Sequence, residues 1–358
     1  MLLTAHPTPI QEVHDPLLDR HGVRLWVKRT DLVHPIISGN KWYKLKYNLL
    51  AARQQGYATL LSFGGAYSNH IHALAGAGRE YGFRTIGMIR GEPCEPLNPT
   101  LQFAVEHGME LHYLNRADYR LKQSPQIIEQ LHQQFGEFYL VPEGGTNALA
   151  VQGCSEMLTD VSDEFDVVAC ACGTGGTLAG VIAGLNGERR ALGVAVLKGG
   201  EFLRDEVQRL LEGRNVQHNV NYEVIPPPSR STQRAGIKGL GGGDQSAVLN
   251  ATQFGKYVFK SPPPNPLLEG GGAKTYPFDN WQINCDHHHG GYAKATPELL
   301  AFMQRFEDEH GIPLDPVYTG KLLFALYELI GQQQFARGAT LLAIHSGGLQ
   351  GRAGFGLN

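Results

Sequence analysis

The chain has 358 residues, a formal net charge of −3, and a composition of 42% hydrophobic and 18% charged residues. This length suggests about two domains. We expect no nucleic-acid partner because no Lys/Arg-rich stripe or tail occurs, and no membrane span because every apolar run is too short for one. Residues 1–13 lack a charged-then-apolar signal pattern, which indicates a cytoplasmic protein.

Short apolar runs alternate with helical periodicity, which predicts β-α units around mainly parallel sheets. In chain order, the first predicted elements are a strand at 24–28, a helix at 40–55, a strand at 58–63, a helix at 68–81, a strand at 85–89, a helix at 97–107, a strand at 110–114, a helix at 126–135 and a strand at 138–141. Their close spacing predicts a small α/β domain over residues 46–152.

A second series of elements follows this domain. It comprises a strand at 166–172, a helix at 177–185, a strand at 192–197, helices at 201–211, 297–310 and 318–331, and a closing strand at 340–345. Within it, residues 216–279 contain triplets of Pro and of Gly, which indicate a long loop or insertion with at most a short strand at 257–259. The sequence assigns this segment no role.

Two clusters of cysteine and histidine occur, and we expect neither to bind a metal ion. Cys170 and Cys172 form a C-x-C pair inside an apolar strand, so we interpret both as core residues. Residues 285–289 read Cys-Asp-His-His-His, but adjacent histidines of one short segment cannot all turn towards one ion.

Three Gly-rich turns follow predicted strands, at the edge where open α/β sheets bind their ligands. They lie at 64–70, 173–177 and 345–348. In the second turn, glycines and threonines ahead of a helix predict a phosphate cradle. It matches neither the dinucleotide fingerprint nor the P-loop. The alternative is that such turns serve packing alone.

Lys41 opens a predicted helix, directly after Ser-Gly-Asn at 38–40. A cation at a helix start is opposed by the helix dipole, which lowers the pKa of the amine and favours the neutral form needed for Schiff-base chemistry. The alternative is an ordinary exposed helix lysine.

Four motifs occur together and in order: Ser-Gly-Asn-Lys at 38–41, Ser-Asn-His at 68–70, Gly-Thr-Gly-Gly-Thr at 173–177 and Leu-Asp-Pro-Val-Tyr-Thr-Gly-Lys at 314–321. Through residues 8–215 and 280–352 the chain resembles the fold type II, tryptophan-synthase-β-like enzymes that use pyridoxal 5'-phosphate (PLP). More narrowly, it is similar to the family of 1-aminocyclopropane-1-carboxylate (ACC) deaminase and D-cysteine desulfhydrase.

The resemblance implies a fold and an assembly. The fold is α/β, with two open, twisted, mainly parallel sheets flanked by helices. A large PLP-binding domain would comprise residues 1–45 and 153–358, and the smaller domain residues 46–152. The closing strand at 340–345 would join the second series, and the protein would be a homodimer.

The resemblance also implies roles in holding the cofactor. Lys41 would hold PLP as the Schiff-base lysine and then move the Cα proton of the substrate. Asn69 would bond the 3' oxygen of PLP, and Thr319 would face its pyridine nitrogen. The phosphate would be cradled by Gly173, Thr174, Gly175, Gly176 and Thr177.

Further residues are implied on the substrate side. Ser68, helped by the helix amides, would bind the substrate carboxylate. Tyr318 would be an acid/base or ring-positioning group, and Tyr292 and His70 would lie near substrate and cofactor, as would Asn69. Residues 143–147, Glu-Gly-Gly-Thr-Asn, could border the site.

Thr319 bears on the choice of substrate. In ACC deaminases the residue after this tyrosine is an acid that keeps the pyridine nitrogen protonated. A threonine favours β-elimination of a good leaving group, which needs less carbanion stabilisation than opening a cyclopropane. We therefore expect D-cysteine as the substrate, with pyruvate, sulfide and ammonia as products. The alternatives are ACC deamination to 2-oxobutanoate and ammonia, another fold type II lyase or dehydratase, and a non-catalytic ligand-binding protein.

Overall fold

The computed structural model describes residues 5–93, 95–161, 164–213 and 280–357. The segment predicted as an insertion, residues 216–279 with its candidate strand at 257–259, lies wholly outside these ranges. The strands are β1 Ile10–Val13, β2 Arg24–Lys28, β3 Thr59–Gly64, β4 Arg84–Arg90, β5 Met109–Leu114, β6 Tyr139–Val141, β7 Val167–Cys172, β8 Arg190–Ala195, β9 Trp281–Asn284 and β10 Thr340–Ile344. The helices are α1 Pro16–His21, α2 Asn40–Gln54, α3 Asn69–Tyr81, α4 Pro99–Glu106, α5 Arg116–Arg120, α6 Pro125–Phe135, α7 Ala148–Ser155, α8 Gly176–Leu185, α9 Leu203–Leu211, α10 Pro297–His310 and α11 Thr319–Gly331.

The larger sheet has six strands in the order β1-β2-β10-β7-β8-β9. Only β1 runs antiparallel to its neighbour, and the other pairs are parallel. The closing strand β10 lies between β2 and β7, so its predicted approach to the second series is confirmed.

The smaller sheet has four parallel strands in the order β5-β4-β3-β6. All four come from one continuous stretch of chain, between Thr59 and Val141. The predicted fold class, two mainly parallel sheets flanked by helices, is confirmed. The exact domain boundaries stay a prediction.

The inner strands β3, β7 and β10 are buried along their whole length, as expected for parallel strands flanked by helices. Every residue of β7 is buried, and this includes Cys170 and Cys172. Burial raises the pKa of the Cys172 thiol to about 12. The prediction that these two cysteines are core residues is confirmed.

Five elements were not predicted from the sequence: β1, β9, α1, α5 and α7. Each has four to eight residues, which is too short for a periodic pattern to stand out from its surroundings. None of the helices in the described ranges has the length and apolar character that crossing a bilayer requires.

Candidate active site

A cavity of about 450 Å³ lies at the carboxyl ends of strands from both sheets. This is the position where open α/β folds bind ligands. Most of the residues predicted from the sequence as site residues line it, namely Lys41, Ser68, His70, Gly173, Thr174, Gly175, Thr177, Tyr292 and Tyr318.

Helix α2, which carries Lys41, starts in close contact with the turn after β10. Gly39 adopts φ 64°, a conformation that favours glycine, and a Cβ atom there would collide with the Ser346 carbonyl oxygen. The amide of Asn40 donates to this same oxygen at 3.3 Å. Its side chain donates to Thr177 Oγ1 at 2.7 Å. These contacts fix the position of Lys41 relative to α8.

The Lys41 side chain is buried, at 7% exposure, and borders the cavity. Burial holds the pKa of its amine well below the usual range, and the nearby charge of Lys44 lowers this pKa further. The direction matches the expectation from the sequence, although burial is the main cause. A neutral amine in a cavity can act as a nucleophile or accept a proton.

An anion cradle borders the same cavity at the start of α8. Gly173, Thr174 and Gly175 line the cavity, and Gly175 has φ 77°. Gly176 lies just behind them, since a Cβ atom there would come within 2.7 Å of the Thr146 side chain. Turned amides and a helix N-terminus together favour a bound phosphate.

Lys44 supplies a positive charge to this cradle. Its buried amine donates to Thr146 Oγ1 at 3.0 Å and to the Gly144 carbonyl at 3.2 Å, and Thr174 Oγ1 lies at 3.5 Å. All three partners are neutral oxygens. Burial lowers the pKa of this amine, so a phosphate in the cradle would restore the stability of its charged form.

Ser68 caps the N-terminus of α3 and offers a carboxylate site in the same cavity as Lys41. Its hydroxyl oxygen accepts from the Ile71 amide at 3.3 Å. The first amides of a helix have no partner inside the helix. The amides at Asn69 and His70 are therefore available to an anion beside Ser68.

Tyr318 and Tyr292 line the cavity side by side. Their ring centroids are 6.3 Å apart, with the ring planes at 72°. Burial raises the pKa of both phenols, and for Tyr318 the effect is large. Both hydroxyls therefore stay protonated at neutral pH and can donate hydrogen bonds.

Asp315 fixes Tyr318 and Thr319 at the start of α11. Its buried carboxylate accepts from the Tyr318 and Thr319 amides, both at 2.8 Å, and from the Val317 amide at 3.0 Å. Thr319 Oγ1 lies 3.5 Å from Ser346 Oγ. Acidic side chains are favoured at such a helix start.

Asn69 and Thr319 do not line the cavity directly. Asn69 Oδ1 accepts from Gln350 Nε2 at 2.8 Å. A Cβ atom at Gly348 would lie 3.3 Å from Asp315 Cγ and would overlap the Asn69 amide group. The two residues therefore flank the turn after β10. Their predicted contacts with a cofactor stay a prediction.

His70 is buried and neutral. Burial holds its pKa well below the usual range, and the charges of Lys41 and Lys44 lower it further. Its Nε2 lies 2.9 Å from Ser62 Oγ, while Nδ1 is buried without a hydrogen-bond partner in the described part of the chain.

The histidines of residues 285–289 do not converge on one point. His287 Nδ1 lies 2.8 Å from Asn284 Oδ1, whereas His289 Nδ1 lies 3.0 Å from Thr296 Oγ1. This region contributes to the site through Tyr292, which follows two glycines.

Sequence reasoning gave no role to Lys44, Asp315 or Lys321. Lys44 follows Lys41 by three residues, and this spacing places both on one face of a helix. Asp315 belongs to the motif at 314–321 and stands four residues before Thr319. The predicted border at 143–147 is confirmed for Glu143, Gly144 and Thr146, which line the cavity.

Comparison with known proteins agrees with this chemistry. Residues 1–219 match the family model described as pyridoxal-phosphate dependent enzyme. The bifunctional D-cysteine desulfhydrase/1-aminocyclopropane-1-carboxylate deaminase, mitochondrial, of Arabidopsis thaliana is 27% identical over 96% of this chain and 77% of its own. The D-cysteine desulfhydrase of Serratia proteamaculans is 24% identical over 97% of this chain and 92% of its own.

The fold is also similar to that of a solved structure, an ACC deaminase homologue. The two superpose with a TM-score of 0.73 over 99% of this chain and 94% of the other, at 25% sequence identity.

Proposed function

Because the chain belongs to the family of pyridoxal-phosphate dependent enzymes, we propose that it catalyses β-elimination from a small amino acid, with D-cysteine as the substrate. D-Cysteine and water would give pyruvate, sulfide and ammonia. The observation that carries the proposal is the buried Lys41 amine, which borders one cavity together with an anion cradle and the Ser68 helix start.

The residues present fit PLP. Lys41 would hold it covalently, the turn at 173–177 and Lys44 would bind its phosphate, and Asn69 and Thr319 would meet its ring. Within the described ranges, the buried Lys44 amine contacts only neutral oxygens, so an added phosphate would supply the missing opposite charge. Bound PLP supplies an aldehyde for covalent attachment of amines and a ring that draws electron density from the substrate Cα.

Each residue of the site then has a simple task. Ser68 and the α3 amides hold the substrate carboxylate. The Lys41 amine, whose pKa is lowered by burial and by the charge of Lys44, takes the Cα proton. Tyr318, protonated and backed by Tyr292, donates a hydrogen bond or a proton to the leaving sulfur.

Thr319 supports elimination from D-cysteine over ACC ring opening. A hydroxyl cannot hold the pyridine nitrogen in its protonated form as an acid would. Expulsion of sulfide needs less stabilisation of the Cα carbanion by the ring than opening of the cyclopropane does. ACC deamination to 2-oxobutanoate and ammonia is the second candidate, because relatives carry that name as well.

The test uses purified holoenzyme with D-cysteine, L-cysteine and ACC assayed side by side. Pyruvate and sulfide from D-cysteine, with both lost in Lys41→Ala, support the proposal. The control Lys46→Ala changes a lysine of the same helix that does not line the cavity. 2-Oxobutanoate from ACC without pyruvate from D-cysteine would select the second candidate. A protein that shows no PLP absorbance after incubation with PLP would contradict both.

The predicted assembly and location accompany this proposal. A homodimer would elute at twice the chain mass in size-exclusion chromatography. A cytoplasmic protein would appear in the cytoplasmic fraction of its native cell.

A further inference from the structure

A second hollow, of about 460 Å³, adjoins the active-site cavity. It is lined by Arg90, Arg116, Tyr119, Arg120, Lys122 and Glu143. Four of these six side chains are cationic and only one is a carboxylate. The two spaces share part of their lining, because Arg90, Lys122 and Glu143 also line the active-site cavity.

The single carboxylate of this hollow is already engaged. Glu143 Oε2 lies 3.1 Å from Lys122 Nζ, and Glu143 Oε1 accepts from the Tyr119 hydroxyl at 2.8 Å. Within the described ranges, Arg90, Arg116 and Arg120 form no ion pair. Glu143 is the one carboxylate that lines this space, and it is held by Lys122 and Tyr119, so the three guanidinium groups have no ion-pair partner of their own in the described part of the chain.

Arg90 reaches the substrate side of the cavity. It is the last residue of β4, and its Nη2 would lie 3.7 Å from a Cβ atom placed on Gly65. The Tyr292 ring lies 3.9 Å from the same point. Gly65 belongs to the turn that leads into Ser68, so Arg90 and Tyr292 approach the turn that presents the carboxylate site.

We propose that Arg90, with Arg116 and Arg120 behind it, forms a subsite for an oxyanion on the substrate side chain. This inference rests on the proposed function and extends its substrate class to amino acids that carry an anionic β-substituent, such as a phosphate ester. Arginine suits this task because its planar guanidinium can make paired hydrogen bonds to an oxyanion.

The reaction of such a substrate needs no additional reagent. The Cα–H and Cβ–O bonds break, the proton passes to the Lys41 amine, and the electron pair of the Cβ–O bond leaves with the phosphate. One water then converts the aminoacrylate that remains to pyruvate and ammonia. No atom is oxidised or reduced by a second compound.

The test compares two probes on the holoenzyme, each as both enantiomers. O-Phosphoserine carries the oxyanion, and β-chloroalanine is neutral at the same position. Arg90→Gln is the test variant. The matched control is Arg84→Gln, at the opposite end of the same strand, whose side chain is 71% exposed.

We expect Arg90→Gln to lower kcat/KM for O-phosphoserine by about tenfold or more, because a charge-assisted contact is lost. The value for β-chloroalanine should change by less than about twofold, and Arg84→Gln should change neither value. Added salt should weaken turnover of O-phosphoserine alone, through charge screening.

Other outcomes overturn the inference. An equal loss with both probes would place Arg90 in the general machinery of the site. Turnover of β-chloroalanine without turnover of O-phosphoserine would leave the proposed function standing and remove the subsite. Competitive inhibition by inorganic phosphate, without turnover of O-phosphoserine, would indicate a site for free anions only. Absence of pyruvate from every amino acid would instead contradict the proposed function.

Discussion

The amine of Lys321 donates a hydrogen bond of 2.7 Å to the carbonyl oxygen of Gly291, the residue before Tyr292. The Val196 carbonyl oxygen lies 3.4 Å from the same amine. Lys321 is fully buried, and burial lowers its pKa to about 8. Burying this amine between two carbonyls costs desolvation free energy, so we do not expect it to add to overall stability. We infer instead that Lys321 positions the Tyr292 loop against α11.

Lys321→Met should loosen the Tyr292 loop and lower kcat/KM for D-cysteine by about tenfold, because a small displacement of an active-site group is costly. The thermal midpoint should change little, since an apolar side chain of similar size replaces a buried charge. Steady-state kinetics and a melting curve test both parts. Lys294→Met, at an exposed site in the same loop, should behave as wild type. Unchanged kinetics in Lys321→Met would contradict the positioning role.

Lys44→Met should weaken PLP binding, because the phosphate would lose its buried positive partner. We expect the Kd of PLP to rise by about tenfold to a hundredfold. Titration of the apoenzyme with PLP, followed by visible absorbance, gives this value. Lys46→Met should bind PLP as wild type does, since Lys46 pairs with Glu156 outside the cavity. An unchanged Kd for Lys44→Met would show that the cradle binds phosphate through its amides alone.

Gly39→Ala should destabilise the protein by at least about 3 kcal/mol, because the added methyl group meets the Ser346 carbonyl oxygen. Gly56→Ala is a matched control, since Gly56 has φ 78° but open space around it. That substitution should cost only about 1 kcal/mol of backbone strain. Urea unfolding measures both values, and equal losses would argue against the close approach.

His72 should make the protein less stable in acid. Burial lowers its pKa to about 4, and its ring stacks on Phe103 with the centroids 3.7 Å apart. The unfolded chain, with a histidine pKa of about 6.5, binds the proton first as pH falls. This residue's destabilising effect is therefore absent above pH ~6.5 and grows as the pH falls towards ~4.

The corresponding variant is His72→Gln. Between pH 7 and 4.5 it should lose about 2 kcal/mol less free energy of unfolding than wild type does. Parallel pH profiles for wild type and His72→Gln would contradict the argument.

Much of this site could be predicted from the sequence, because its residues lie in short motifs at the ends of strands. Lys41, Ser68 and the turn at 173–177 each begin a helix, and their meeting at one cavity follows from the parallel order of the strands. The long elements agree with their predicted bounds to within a few residues, because their hydrophobic periodicity is strong.

The contacts that support the site could not be predicted in this way. Lys321 meets Gly291, and Lys44 meets Thr146 and Gly144, across 30 to 102 positions in the chain. A motif records residue types but not the carbonyl that a buried amine will reach. The second hollow, lined by Arg90, Arg116 and Arg120, could not be predicted either. Helix α5, which carries Arg116 and Arg120, has only five residues and gives no periodic pattern.

The position of β10 determines when the site can be completed during synthesis. This strand inserts between β2 and β7, and its neighbour Ser346 contacts the start of the Lys41 helix. The smaller sheet can form earlier from its own continuous stretch, because its contacts are more local. The larger sheet must wait for residue 344 to leave the ribosome. We therefore expect cofactor loading to be a late event, because a nascent chain halted before β10 would lack the turn that fixes Lys41.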